Sequence, residues 1–199
     1  GQLSNGIRYA ILPRKVKGNR VNLSLNLQWG NLQNLSGRWR EADLLDSMML
    51  SGTKQLPRQA FDDRLRALDA RLSIDANASG AKVSLSVPAK NLSDALALAV
   101  SALREPVFPK DVFQERRDQV LTGIEAQRHQ PEALAAEAMA VRGHAYPTDD
   151  PRHYRTMDEV VTDLKVQTPE RLMKFWQDFA GASHGQFSVV GNVDPEALK

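Results

Sequence analysis

In the stretch EADLLDSMMLSGT, residues 41–53, two carboxylates and a hydroxyl fall at helical spacings: Asp43, Asp46 and Ser47. Residues three and four apart share one face of a helix. Such a face could hold a divalent cation, move protons, or simply meet water. Leu44, Leu45, Met48 and Met49 cluster on the opposite side at 100° per residue, so the apolar stripe must face a core. The acidic face then looks to solvent or into a cleft, and a solvated face is the commonest outcome of this pattern. The four histidines are His129, His144, His153 and His184. None pairs with another at i+3 or i+4, so no helical two-histidine ligand set exists. His144 in RGHAYP and His153 in DPRHY sit in loop-like segments and could meet in space, although surface or capping roles are the simpler reading. A metal site using Asp43, Asp46 and these histidines has ligands of the wrong number and type for zinc.

Other chemistries are excluded more firmly. The 199 residues contain no cysteine, which removes disulfides, thiolate zinc sites and cysteine nucleophiles. No G-x-S-x-G elbow, P-loop or G-x-G-x-x-G occurs. With 26 basic against 24 acidic residues the net charge is +2, and no basic run interleaves with aromatics, so nucleic acid is not an expected partner. No apolar run is long enough to span a membrane, and no signal peptide is visible. The chain opens Gly-Gln and stops within NVDPEALK, as a helix seems to begin; it reads as a piece of a longer protein.

The elements that must position these residues follow from periodicity. Ile7–Leu12 and the alternating segment from Val21 read as strands, with Val21, Leu23, Leu25 and Leu27 on one face. A Gly/Asn/Ser-rich loop over Gly30–Gly37 leads into the motif helix, which Gly52 ends. A helix opens at Pro57, with Phe61, Leu65 and Leu68 along one side. Residues 71–87 form a hairpin around Ser79-Gly80. Helices follow over NLSDALALAVSALRE with a cap at its start, from Lys110 to about His129, from Pro131 to near Gly143, over TMDEVVTDLK, and over QTPERLMKFWQDF, where Thr168 caps and Pro169 comes first. GQFSVVGNV closes the order as a strand. Trp39, Phe175, Trp176 and Phe179 fall at helical positions suited to core packing. The fold class expected is α+β: a mixed, largely antiparallel sheet with helices packed on one face, in a single domain over 1–199.

The ordered landmarks LSNGIRYAILP, VNLSLNLQWGNLQNLSGRWREADLLDSMMLSGT, REPVFPKDVFQERRDQVLTGIEAQRHQPEALA, HAYP and TPERLMKFWQDF…FSVVGNVDP resemble, from end to end, a domain of the insulinase, pitrilysin and mitochondrial processing peptidase family. No single landmark is specific; the ordered set is. Active members carry H-x-x-E-H before Gly-Thr: two histidines bind zinc, the glutamate is the general base, and a distant glutamate completes the site. Three ligands with one open position for water is the arrangement zinc hydrolysis needs. Anchored on Gly52-Thr53, the resemblance puts Asp43 in the first histidine's place, Asp46 in the glutamate's and Ser47 in the second histidine's. Gly123 of VLTGI, 76 residues after Ser47, stands where the last ligand should be. Glu125 lies about 200° around the helix from that position.

The resemblance therefore implies a degenerate motif, no catalytic residue, and no metal or cofactor in this domain, with zinc expected in a partner half. It implies the first domain of the C-terminal, non-catalytic half of a larger bacterial zinc endopeptidase, in the periplasm. Its expected partners are the zinc-bearing half, in the same chain or as a separate subunit, and the peptides the two halves enclose. The alternative is a structural or assembly subunit of the same fold with no role in proteolysis.

Overall fold

The computed structural model describes residues 1–181 and 184–196. Its centre is one five-stranded sheet in the order β1-β5-β2-β4-β3. The strands are β1 (Arg8–Pro13), β2 (Arg20–Gln28), β3 (Arg71–Asn77), β4 (Gly80–Pro88) and β5 (Gln186–Gly191). β1 and β5 run parallel, and every other pairing is antiparallel. The alternation in β2 does what a period of two requires: Val21 and Leu27 are buried while Asn22 and Asn26 are exposed. Val83, Leu85 and Val87 of β4 and Ile74 and Ala76 of β3 continue the apolar face. The opposite face carries Asn22, Asn26, Ser73 and Ser188, all exposed.

The β3–β4 turn falls at Ala78 and Ser79, one residue before the expected position. Asn77 Oδ1 accepts from both the backbone N–H and the hydroxyl of Ser79, at 2.8 Å each. Gly80 instead opens β4 opposite Gln28. A Cβ there would stand 2.3 Å from the Leu27 carbonyl oxygen, so only glycine fits.

The helices are α1 (Leu32–Leu35), α2 (Leu45–Met48), α3 (Arg58–Ala67), α4 (Leu92–Arg104), α5 (Lys110–Gln127), α6 (Pro131–Gly143), α7 (Met157–Val166) and α8 (Pro169–Phe179). Thr168 caps α8 by accepting from the Arg171 N–H, with Pro169 in the first turn. Thr156 and Glu159 form a reciprocal capping box on α7. The cap expected at Asn91 is not made; its amide donates to the Leu68 carbonyl at 2.8 Å and ties α4 to the end of α3. Phe61, Phe113, Leu164, Leu172 and Phe175 fill the space between helices and sheet, each no more than 2% exposed. α6 buries none of its side chains.

The motif segment departs from a single helix. A 3-10 turn over Trp39–Ala42 precedes the one α turn of α2, and Leu44 lies between them at φ −102°, ψ 7°. The Ser47 hydroxyl donates to the Leu44 carbonyl at 2.9 Å, a local bond that competes with helix continuation. The sidedness survives the break: Leu44, Leu45, Met48 and Met49 are at most 4% exposed, while Asp46 and Ser47 face outward.

Candidate functional site

The Gly-Thr that ends the motif is a built corner. Gly52 has φ +115°, and an added Cβ would meet Arg58 N and the Leu56 carbonyl oxygen at 2.9 Å. Thr53 is buried, donates its backbone N–H to the Leu56 carbonyl, and accepts the Leu56 N–H on its hydroxyl.

Asp43 turns toward α7. Arg155, one residue before the α7 cap, grips it bidentately: Nη2 donates to Oδ1 at 2.6 Å and Nη1 to Oδ2 at 2.7 Å. The same Nη1 donates to Asp163 of α7 at 3.0 Å, and Arg40 approaches Asp163 at 3.4 Å. The Asp43, Arg155 and Asp163 side chains are 12–16% exposed, so the cluster is largely withdrawn from water. Burial pushes the Asp43 carboxyl above its ordinary range, and the two bonds from Arg155 pull against that shift. Trp39 is partly buried against the core, as expected, and also serves as a platform: the Arg155 and Arg40 guanidinium carbons lie 4.7 and 5.5 Å from its ring centre. Arg38 binds Asp178 of α8 at 2.8 Å and anchors the preceding turn.

Asp46 has a different partner. Its Oδ1 accepts the N–H of Ala76 at 3.1 Å, joining α2 to edge strand β3. Ser47 spends its proton on Leu44. Gly123 is exposed on α5, and a Cβ there would meet nothing within 4 Å. Glu125, two residues on, is occupied by Arg128 and His129 at 3.6 Å. The structure thus brings Asp43 and Asp46 onto one short segment but turns them to unrelated partners. These side chains do not fit a zinc ion: one carboxylate is closed by a guanidinium, the other by a backbone N–H, the hydroxyl is donating, and glycine offers no ligand.

The histidines take separate places. His144 Nδ1 lies 3.0 Å from the Ala140 carbonyl at the end of α6. His153 has Nδ1 2.9 Å from the Tyr146 carbonyl and Nε2 3.2 Å from Glu159. His184 lines a polar crevice of about 730 Å³ with Arg8, Gln28 and Asn31, which none of the motif residues borders. Among the described residues no three His, Asp or Glu side chains come together as a metal-binding group.

Glu159 closes the loop–helix junction beside this cluster. The Thr156 backbone N–H, and secondarily His153, hold its carboxyl below the ordinary 4.5. A carboxyl depressed in the folded state stabilises fully above its unfolded value, and that stability is lost as pH falls through the folded value. Glu159→Gln is accordingly expected to flatten the acid limb of a urea-midpoint curve measured from about pH 6 down to about pH 3.

Sequence reasoning missed Arg155 and Asp163. They lie more than a hundred residues from Asp43, and the only available signal was one of charge: a cation directly before a capping box, with an acid on the helix that follows.

The site is thus a motif turn set against edge strand β3 and followed by a Gly-Thr corner, in an α+β domain with a five-stranded, mainly antiparallel sheet. The model of the family described as Insulinase (Peptidase family M16) matches residues 11–152, and the chain belongs to that family. It is 30% identical over 210 residues to the "Probable zinc protease PqqL" of Escherichia coli K12, covering all of this chain and 22% of that protein. The crystal structure of the periplasmic protease PqqL from E. coli superposes with a TM-score of 0.71 at 26% identity, over 100% of this chain and 22% of that one. A peptidase M16 inactive domain from Pseudomonas fluorescens superposes with a TM-score of 0.80 at 20% identity, over 100% and 47%. The chain spans less than a quarter of the length of the curated relative it matches.

Proposed function

We propose that this domain is a non-catalytic part of a two-half zinc endopeptidase, one that pairs with a zinc-bearing half and helps enclose peptide substrates. The observation that carries the reading is the Arg155 fork on Asp43. A permanent cation of the protein stands against the carboxylate at the first-ligand position, and a buried guanidinium–carboxylate pair is not readily opened for a metal. The residues at 43, 46, 47 and 123 offer no alternative ligand set. On this reading residues 1–199 form one domain, the first of the C-terminal, non-catalytic half; it holds no zinc, and the zinc belongs to the partner half. The likeness to a periplasmic protease of E. coli supports a bacterial periplasmic setting.

The test is metal content after dialysis, together with cleavage of a quenched-fluorescent peptide by the same sample. The expected result is far less than one zinc per chain and no cleavage alone, with chelator-sensitive cleavage rising above that of the zinc-bearing half when the two are combined. Stoichiometric zinc with cleavage by this chain alone would overturn the reading. No gain on combination would favour a purely structural subunit.

A further inference from the structure

Segments remote in the chain converge on the polar crevice of about 730 Å³ that His184 borders. One wall is the N-terminal turn, closed by the Gln2 amide on the Gly6 carbonyl at 3.2 Å. Another is the paired starts of β1 and β5, where Arg8 and Gln186 are ladder partners and both exposed. The last is the connection from β2 into α1, through Gln28 and Asn31 to Asn34. Buried Trp29 and Gly185 lie beneath, and the Ala78 carbonyl already holds the Trp29 indole N–H at 3.0 Å.

Local structure fixes what this lining offers. Asn31 Oδ1 accepts the N–H groups of Gln33 and Asn34 at 3.0 and 2.9 Å, and Asn34 Oδ1 accepts the Asn31 N–H at 2.6 Å. Only the oxygen end of an amide can accept such bonds. What remains on each side chain is an NH₂ group, and neither has a protein partner among the described residues. Arg8 makes no ion pair and no side-chain hydrogen bond among the described residues. His184 adds at least one ring N–H, and the Gln28 and Gln186 amides are free to turn their NH₂ groups inward. Among the described residues that line the crevice none is acidic, and Arg8 is the one permanent cation.

A flat cation ringed by neutral donors selects its ligand by shape and charge. A guanidinium meets a carboxylate through two parallel N–H···O bonds, with one charge against one. The carboxylate's remaining lone pairs then need neutral donors, which is what the two capped asparagines present. A phosphate dianion would keep a second charge with no permanent cation to meet it. We propose that this crevice is a carboxylate-binding site, in which Arg8 seats the carboxylate and the Asn31 and Asn34 amides donate beside it. The carboxylate comes from the C-terminus of a peptide or from a small free acid. This goes beyond the proposed peptidase role and does not depend on it.

Heteronuclear NMR titration of the unmodified chain tests it, with acetyl-trialanine acid, acetyl-trialanine amide and succinate as probes. A carboxylate probe is expected to shift the side-chain NH₂ signals of Asn31 and Asn34 and the backbone signals of Gly30 and Gln186. A response to the trialanine acid identifies the peptide C-terminus as the source, and a response to succinate alone identifies a small free acid. The trialanine amide is expected to bind at least about tenfold more weakly than the acid or not at all. Arg8→Gln and Asn31→Asp are each expected to weaken carboxylate binding by about tenfold or more. Asn31→Asp is the sharper of the two, because aspartate caps a helix as well as asparagine and only the free donor becomes an anion. Both side chains are exposed, so the melting temperature of each variant should stay within about a degree or two of the parent. No shift with either carboxylate, equal binding of the trialanine amide, or undiminished binding by both variants would each overturn the proposal.

Discussion

Arg155→Ala is expected to destabilise the domain by about 3 kcal/mol or more, read as a drop in the urea midpoint with little change in slope. The size follows from what is left behind. Among the described residues Arg155 is the one side chain that hydrogen-bonds both Asp43 and Asp163, and all three are largely buried. Removing it leaves two carboxylates close together with Arg40, 3.4 Å from Asp163, as the remaining cation. Uncompensated buried charge costs more than the pair itself contributed. Arg155→Lys keeps a charge but loses the planar fork, so it should recover only part of the loss. Asp43→Asn should cost less than Arg155→Ala, and the double variant less than the two singles summed, because the residues act as one network. A single loss of this size is a large share of the roughly 5–15 kcal/mol that holds a typical domain folded.

Trp176→Ala is expected to cost about 4 kcal/mol, in the range for aromatic-to-alanine changes in cores. Trp176 is 5% exposed and meets Trp29 edge-to-face, with ring centres 5.5 Å apart. Its indole N–H donates to the Leu103 carbonyl at 3.1 Å. One side chain therefore fastens α8 to the end of β2 and to the last turn of α4, and alanine would leave both a cavity and an unpaired carbonyl. Trp176→Phe should cost about 1–2 kcal/mol, since most of the ring volume stays and the hydrogen bond goes. Near-ultraviolet circular dichroism should weaken in both variants and thermal stability should fall much further in the first.

Much of this was legible in the sequence because burial writes itself into spacing. Val21, Leu23, Leu25 and Leu27 announced the inner face of β2, and Leu44, Leu45, Met48 and Met49 announced which side of the motif is packed. Thr168-Pro169 announced the start of α8. The unreadable parts depend on partners remote in the chain. Nothing near Asn91 indicates that its amide would turn to Leu68 rather than cap α4. Nothing local indicates that β5 would lie between β1 and β2, because order in a sheet is decided by pairing and not by composition. The motif positions could be read from their residue types, whereas their occupation could not: Arg155 on Asp43 and Ala76 on Asp46 are tertiary contacts. Trp39 has the spacing of a core residue and packs against the core, but its second role as a cation platform depends on Arg155, which arrives from a remote part of the chain.

The insertion of β5 between β1 and β2 has a consequence for the order in which the domain assembles. As the chain is synthesised, β3 and β4 can zip at once across the turn at Ala78 and Ser79, and β2, already made, can join β4 as soon as it emerges. Among the described strands β1 has only β5 as its ladder partner, and β5 follows α8. The inner edge of β2 stays open until β5 is made. Such long-range closure slows folding and leaves an unpaired strand waiting in the nascent chain. The half-built sheet is therefore the stage at which this domain has most need of a chaperone, and the arrival of β5 is the step that seals it.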